Sequence, residues 1–277
     1  MNQRPTASEV REPTPARRMS YWIISRQPLQ MLIFLLPLII AYEIALVTVL
    51  NRDGVPITNI AHQQLIELLE GFAVPARDAL FFGGLIIVVV LLFWHLFTRA
   101  PWRVSGQALL GMILESIVLT APLVILWQLI SQFGIPDRVD AAIEGEMLAA
   151  LARTPAQLPS QAFAELTKLQ QLTIAIGAGL YEELIFRMVL IAAVHLILVD
   201  LLKTPQVLAI IIAVVLSAIA FAWYHPTVGM TTETESLVIT FYFLAGVYFA
   251  GVYVIRGFGI VVGVHAAYDC FVALIGA

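Results

Sequence analysis

The stretch from 172 to 202, LTIAIGAGLYEELIFRMVLIAAVHLILVDLL, is apolar enough to dissolve in lipid, yet it carries Glu182, Glu183 and Arg187 near its centre. Insertion scales charge roughly 2.5 to 3.5 kcal/mol for each ionised side chain at a transmembrane helix centre, so three ask for roughly 8 kcal/mol before any pairing. Such groups persist where a bundle interior surrounds them and a function uses them. Two later apolar segments repeat the pattern, with Phe221 and His225 on one and His265 and Asp269 on the other. Carboxylates and imidazoles from three segments can meet only inside a bundle of helices.

Working outward, six further apolar segments are long enough, or nearly so, to cross about 30 Å of hydrocarbon: about 29–50, 79–97, 108–130, 207–224, 237–255 and 258–276. All seven are expected to be helices, because an open sheet cannot satisfy its backbone in lipid. The fold class is therefore all-α, a polytopic transmembrane bundle of about seven spans. At 31 residues, 172–202 would run about 46 Å as an α-helix and must tilt or kink, with Gly177 and Gly179 the expected bend. Pro37 and Pro122 are candidate kinks in the first and third segments. Between spans, 57–76 and 138–153 alternate apolar and polar residues at helical spacing and read as interfacial amphipathic helices.

Composition agrees: the 277 residues are 60% hydrophobic and 12% charged, where a soluble domain has about 25% charged residues. Residues 1–28 form a basic, polar arm with Arg4, Arg11, Arg17, Arg18 and Arg26, expected to be disordered. Residues 29–168 then hold the N-terminal spans and amphipathic loops, and 169–277 the polar core. The arm's arginines, with Arg99, Arg103, Lys203 and Arg256 at alternate turns, place the N-terminus in the cytoplasm under the positive-inside rule, the chain being integral to a bacterial plasma membrane. Net charge is −4, and nucleic-acid binding has no support. Cys270, a lone cysteine, excludes an internal disulfide or thiolate cluster.

On a helix, Glu183 and Arg187 are four residues apart with the acid first, the favoured order for an ion pair. Glu182 points about 100° away and has no partner on its own helix. An apolar, poorly solvated site is the setting in which a carboxyl serves as a general base near neutral pH. His265 and Asp269 share a face one turn apart, while Gly259, Gly263 and Ala267 form a small-residue stripe on another face, suited to close packing. Cys270 lies about 140° from His265, so a thiol–imidazole dyad on that helix is not expected. Glu115 and His195 read as interhelical polar contacts, and Glu43 as one or as a cavity-lining group. Glu182, His225 and His265 are also residue types that zinc accepts, but no H-E-x-x-H pattern is present, so a metal is the lesser alternative.

The ordered motifs resemble those of the CPBP intramembrane proteases, the Abi or CAAX-protease family, which includes the type II CAAX prenyl endopeptidases. E-E-x-x-x-R is matched by Glu182, Glu183 and Arg187, F-x-x-x-H by Phe221 and His225, and H-x-x-x-N/D by His265 and Asp269. The resemblance covers roughly 170–275. It implies an endopeptidase that cuts a membrane-associated peptide or protein within the bilayer, without a cofactor. Glu182 and His225 would activate water, His265 and Asp269 would stabilise the oxyanion, and Glu183 and Arg187 would support them. Two positions depart from the family pattern: Met188 follows the arginine where glycine is frequent, and Asp269 stands where the CAAX endopeptidases carry asparagine. An ionised Asp269 would repel an oxyanion, so it must be protonated or must orient a protonated His265. The alternatives are a non-catalytic immunity or peptide-binding protein of the same fold, and a proton-coupled transporter. The latter lacks an inverted repeat.

Overall fold

The computed structural model describes residues 20–52, 55–132, 166–225 and 232–275. Ser20 leads into a short helix α1 (Tyr21–Ile24), and Pro28, whose fixed φ suits a first helical turn, opens α2 (Pro28–Thr48). A two-residue antiparallel ladder, β1 (Asn51–Arg52) with β2 (Val55–Pro56), turns the chain into α3 (Ile60–Gly71), whose first turn is capped by the Asn59 side chain. Then come α4 (Ala76–Thr98), α5 (Gly106–Ser131, capped by Ser105), α6 (Lys168–Leu201), α7 (Gln206–Tyr224), α8 (Thr232–Arg256) and α9 (Phe258–Ile275).

Among the described residues, seven helices are long and apolar enough to span a membrane: α2 and α4 to α9. The expected spans are thus all present, and the chain is an integral, multi-pass membrane protein. Of the two expected amphipathic helices, α3 is present, while 138–153 lies outside the described residues. Of the arm expected to be disordered, residues 20–28 are ordered, α1 being held by contacts of Tyr21 and Trp22 with Glu115 and Arg256, and 1–19 lie outside the described residues.

The fourth span corrects one expectation. Its first half, Lys168–Glu183, is regular α-helix opened by a Thr167/Gln170 capping box, and it continues through Gly177 and Gly179 without interruption. The change comes at Leu184, where the helix widens into a π-type turn (Leu184–Ile191) and does so again over Leu196–Leu201. The two glycines serve close approach instead. A Cβ at Gly177 would collide with the Tyr42 ring, and one at Gly179 would sit 2.8 Å from the Ala266 backbone nitrogen. Likewise α2 and α5 run through Pro37 and Pro122 as continuous helices.

Polar ties show which helix ends lie together. Lys168 donates to the Ala273 carbonyl (2.8 Å) and Gln170 to that of Val49 (2.8 Å), so α6 begins where α2 and α9 finish. At the opposite end, Gln30 exchanges two hydrogen bonds with the Ser105 backbone (3.1 and 3.0 Å), and Arg256 binds Glu115 (2.7 Å) and Ser25 (3.0 Å). The α9 helix is the bundle's axis: thirteen of its eighteen residues are buried, packed chiefly on α6 and α5. Its small-residue stripe does what the sequence suggests, with Gly259 against Met31 and Met112, and Gly263 against Ser116 and Phe34.

Candidate active site

Four helices converge on one point. From α6 come Glu182 and Glu183, just before the π-turn, and Arg187 within it. His225 caps the end of α7, where the backbone turns extended, and His265 and Asp269 come from the middle of α9. Each of these six side chains is buried. Such burial away from lipid and water is tolerable only because the groups face one another.

Glu183 is the hub. Its Oε1 lies 3.1 Å from the Arg187 guanidinium and 2.7 Å from His265 Nδ1, so one carboxylate binds a cation on its own helix and an imidazole on the next. Arg187 is held further by aromatic faces: its guanidinium carbon sits 4.3 Å from the centre of the Phe221 ring and 5.2 Å from that of Phe249, and it donates a long bond (3.5 Å) to the Gly246 carbonyl. Phe221 therefore supports the site as a platform for the guanidinium.

Glu182 faces the other way, as two adjacent helical residues must. Its Oε2 lies 3.7 Å from His225 Nε2 and 3.8 Å from His265 Nε2, and no group among the described residues hydrogen-bonds it. The proton on His225 can be assigned. Nδ1 lies 2.7 Å from the Phe221 carbonyl, which only accepts, so Nδ1 carries a hydrogen, and when the ring is neutral Nε2 presents its lone pair toward Glu182. On His265, Nδ1 meets Glu183, and Nε2 lies 3.3 Å from Asp269 Oδ2. Both imidazoles border a small cavity of about 30 Å³, together with Asp269 and Tyr268. That is room for about one water molecule.

Residues of α8 complete the site, and the motif reading missed them. Tyr242 stacks on His225 (3.8 Å between ring centres, 18° between planes) and Phe249 stacks on His265 (4.5 Å, 20°). The signal was present as Tyr242, Gly246 and Phe249, which fall at i, i+4 and i+7 on one face of an aromatic-rich helix. It is indistinguishable from ordinary core packing until the helix is placed against two histidines.

The remaining polar candidates lie elsewhere. Glu43 accepts from the Tyr181 hydroxyl (3.2 Å) and the Gly84 amide (3.2 Å), and does not line the cavity. Glu115 pairs with Arg256 at the far end, and Cys270 lies beside the Leu172 carbonyl. Among the described residues, no three His, Cys, Asp or Glu side chains are grouped to hold a metal ion.

Residues 165–271 match the family model described as Rce1-like, type II CAAX prenyl endopeptidase Rce1-like. This part of the chain is similar to that family. The match runs from the start of α6 into α9 and contains every residue of the constellation. No curated protein and no solved structure matches the chain. The likeness to the Rce1-like family supports a CAAX-protease-type enzyme in general, and the seven apolar helices support a lipid bilayer around it. Its Glu182–Glu183–Arg187 helix, its two histidines and its Asp269 all fall on the segment that carries the family match.

Proposed function

We propose that the protein is an intramembrane endopeptidase in which Glu182 and His225 activate a water molecule against a peptide bond of a membrane-associated protein or peptide. The observation that carries this reading is the position of Glu182 Oε2, without a hydrogen-bond partner among the described residues and 3.7 Å from Nε2 of His225, a residue that lines the water-sized cavity. Two acceptors at that separation suit the two protons of one water, which is then polarised for attack. The water oxygen bonds to the scissile carbonyl carbon as Glu182 takes its proton. The carbonyl π electrons move to oxygen, and the resulting tetrahedral oxyanion needs a donor. A His265 ring protonated on both nitrogens supplies it from Nε2, whose one N–H is shared between the oxyanion and Asp269 Oδ2 at 3.3 Å, while Glu183 binds Nδ1. Collapse of the intermediate breaks the C–N bond, and the proton held by Glu182 passes to the leaving amine.

No cofactor enters this scheme. Positive residues at alternate turns support a cytoplasmic N-terminus in a bacterial plasma membrane, with His225 at the outer end of α7 and the cavity in the outer half of the bundle. The test is cleavage of a library of membrane-derived peptides by the purified wild type and Glu182→Gln in lipid, read by mass spectrometry. Fragments made only by the wild type support the protease. Equal binding of the same peptides by both forms, with nothing cut, points instead to a non-catalytic immunity or peptide-binding role.

A further inference from the structure

Tyr181, the residue immediately before Glu182, points away from the cavity into a second buried polar cluster that the proposed chemistry does not use. Its ring lies flat on His62 of the interfacial helix α3, with ring centres 4.2 Å apart and planes within 2°. Its hydroxyl donates to Glu43 of α2 (3.2 Å). His62 Nε2 lies 3.0 Å from the Leu80 carbonyl of α4 and must donate to it, which leaves Nδ1 to accept from the Tyr42 hydroxyl at 3.0 Å. Tyr42, His62 and Tyr181 are all buried, and glycines shape their socket: a Cβ on Gly83 would collide with the Tyr181 ring and one on Gly177 with Tyr42.

A helix has two rigid-body freedoms that matter to a side chain facing a reaction: rotation about its axis and sliding along it. On the side facing the histidines, Glu182 Oε2 has no hydrogen-bond partner among the described residues, and both imidazoles lie beyond hydrogen-bond distance. The Glu183–His265 contact and the close approach of Gly179 to Ala266 hold α6 against α9 on one face. The opposite face adds a second constraint, because a planar stack on His62 of α3 and a hydrogen bond to Glu43 of α2 hold Tyr181 in one orientation. Rotating α6 by even part of a turn would slide the two rings apart and break the Tyr181–Glu43 bond.

We propose that Tyr181 and His62 are positioning residues, which set the rotation of α6 and so aim the Glu182 carboxyl at His225 and His265. The interfacial helix α3, which contributes no group to the cavity, thereby governs the geometry within it. The inference rests on the protease reading only for its kinetic consequence, since the geometric claim can be read directly.

The chain has five histidines, so ring-nitrogen NMR of 15N-histidine-labelled protein, assigned by single substitutions, resolves His225 and His265. Tyr181→Leu removes the stack and the hydroxyl, and Tyr181→Phe keeps the ring. With Tyr181→Leu, the resonances of His225 and His265 shift although neither ring is touched, and with Tyr181→Phe they return toward wild type. On a cleaved peptide, Tyr181→Leu lowers kcat on the order of 10²-fold at near-constant KM, as expected for a misplacement of about 1 Å. Thermal denaturation confirms that the variant is folded at the temperature used. Unchanged His225 and His265 resonances in folded Tyr181→Leu overturn the positioning role, whatever the activity. Shifted resonances in a protein whose wild type cuts nothing leave positioning in place and overturn the protease reading alone. If Tyr181→Leu does not fold, His62→Leu against His62→Phe makes the same comparison from the α3 side.

Discussion

Glu183 and His265 meet at 2.7 Å across the α6–α9 interface, and the same Glu183 oxygen lies 3.1 Å from Arg187. A cation, an anion and an imidazole are thus joined in one chain at membrane depth, each needing the next for its charge to be tolerable. Glu182, one residue earlier on the helix, stands outside that chain with an oxygen that no group among the described residues satisfies. Two adjacent carboxyls are split by helical geometry into one that holds structure and one left available for chemistry.

Glu182→Gln keeps the shape of the side chain and removes the base. It should lower cleavage on the order of 10²- to 10⁴-fold, the usual contribution of a general base. Size-exclusion elution and thermal midpoint in detergent should stay close to wild type. Full activity in this variant would sink the assignment of Glu182.

Arg187→Ala should behave differently, because it strands the Glu183 charge in an apolar site and empties the space between Phe221 and Phe249. Breaking one partner of a buried pair costs about 3–5 kcal/mol. The expected outcome is a low folded yield with activity lost in parallel. The double variant Arg187→Met, Glu183→Gln, which removes both charges, should recover yield without recovering activity, and a folded yield unaffected by Arg187→Ala would contradict the pairing.

Gly179→Ala tests the contact between α6 and α9. The added methyl would meet the Ala266 backbone at 2.8 Å, which cannot move aside as a flexible side chain could. Overpacking of this kind costs about 1–3 kcal/mol, and here it pushes Glu183 away from His265. Thermal denaturation should show the loss. Histidine NMR should show a displaced His265 signal, and an unperturbed signal would argue against so tight an interface.

His62 makes stability depend on pH. Burial pushes its pKa down from 6.5 to about 4, with the Leu80 carbonyl only partly offsetting. A histidine whose folded pKa is depressed is neutral in the fold and more readily protonated when unfolded, so its contribution is complete above about 6.5 and is lost as pH falls toward 4. The loss is roughly 3 kcal/mol over that window. Melting curves from pH 7.5 to 4.5 should fall more steeply for wild type than for His62→Gln, and equal slopes would exclude this residue as the source.

A chelator provides the last test. Under the glutamate scheme, prolonged dialysis against EDTA leaves cleavage unchanged. Activity lost on chelation and restored by zinc would replace that scheme with a metal one built on Glu182, His225 and His265.

The sequence by itself determined the seven spans, because hydrocarbon thickness and the need to satisfy every backbone group leave few choices for long apolar segments. It also determined which residues had to converge, since Glu182, Glu183, Arg187, His225, His265 and Asp269 are too costly in lipid to stand alone. Only the tertiary structure decided how they divide their work. Whether Glu183 or Glu182 meets His265 closely depends on the rotation of α6 against α9, which spacing along a single helix does not specify. Gly177 and Gly179 show the same limit: their sequence reads as flexibility, but their neighbours Tyr42 and Ala266 make them contact points. The π-turn after Glu183, the stacking of Tyr242 and Phe249 on the two histidines, and the Tyr181–His62 socket were likewise beyond reach of the sequence. Each is a contact between segments distant in the chain, and an aromatic residue in an apolar helix carries no mark of which neighbour it will meet.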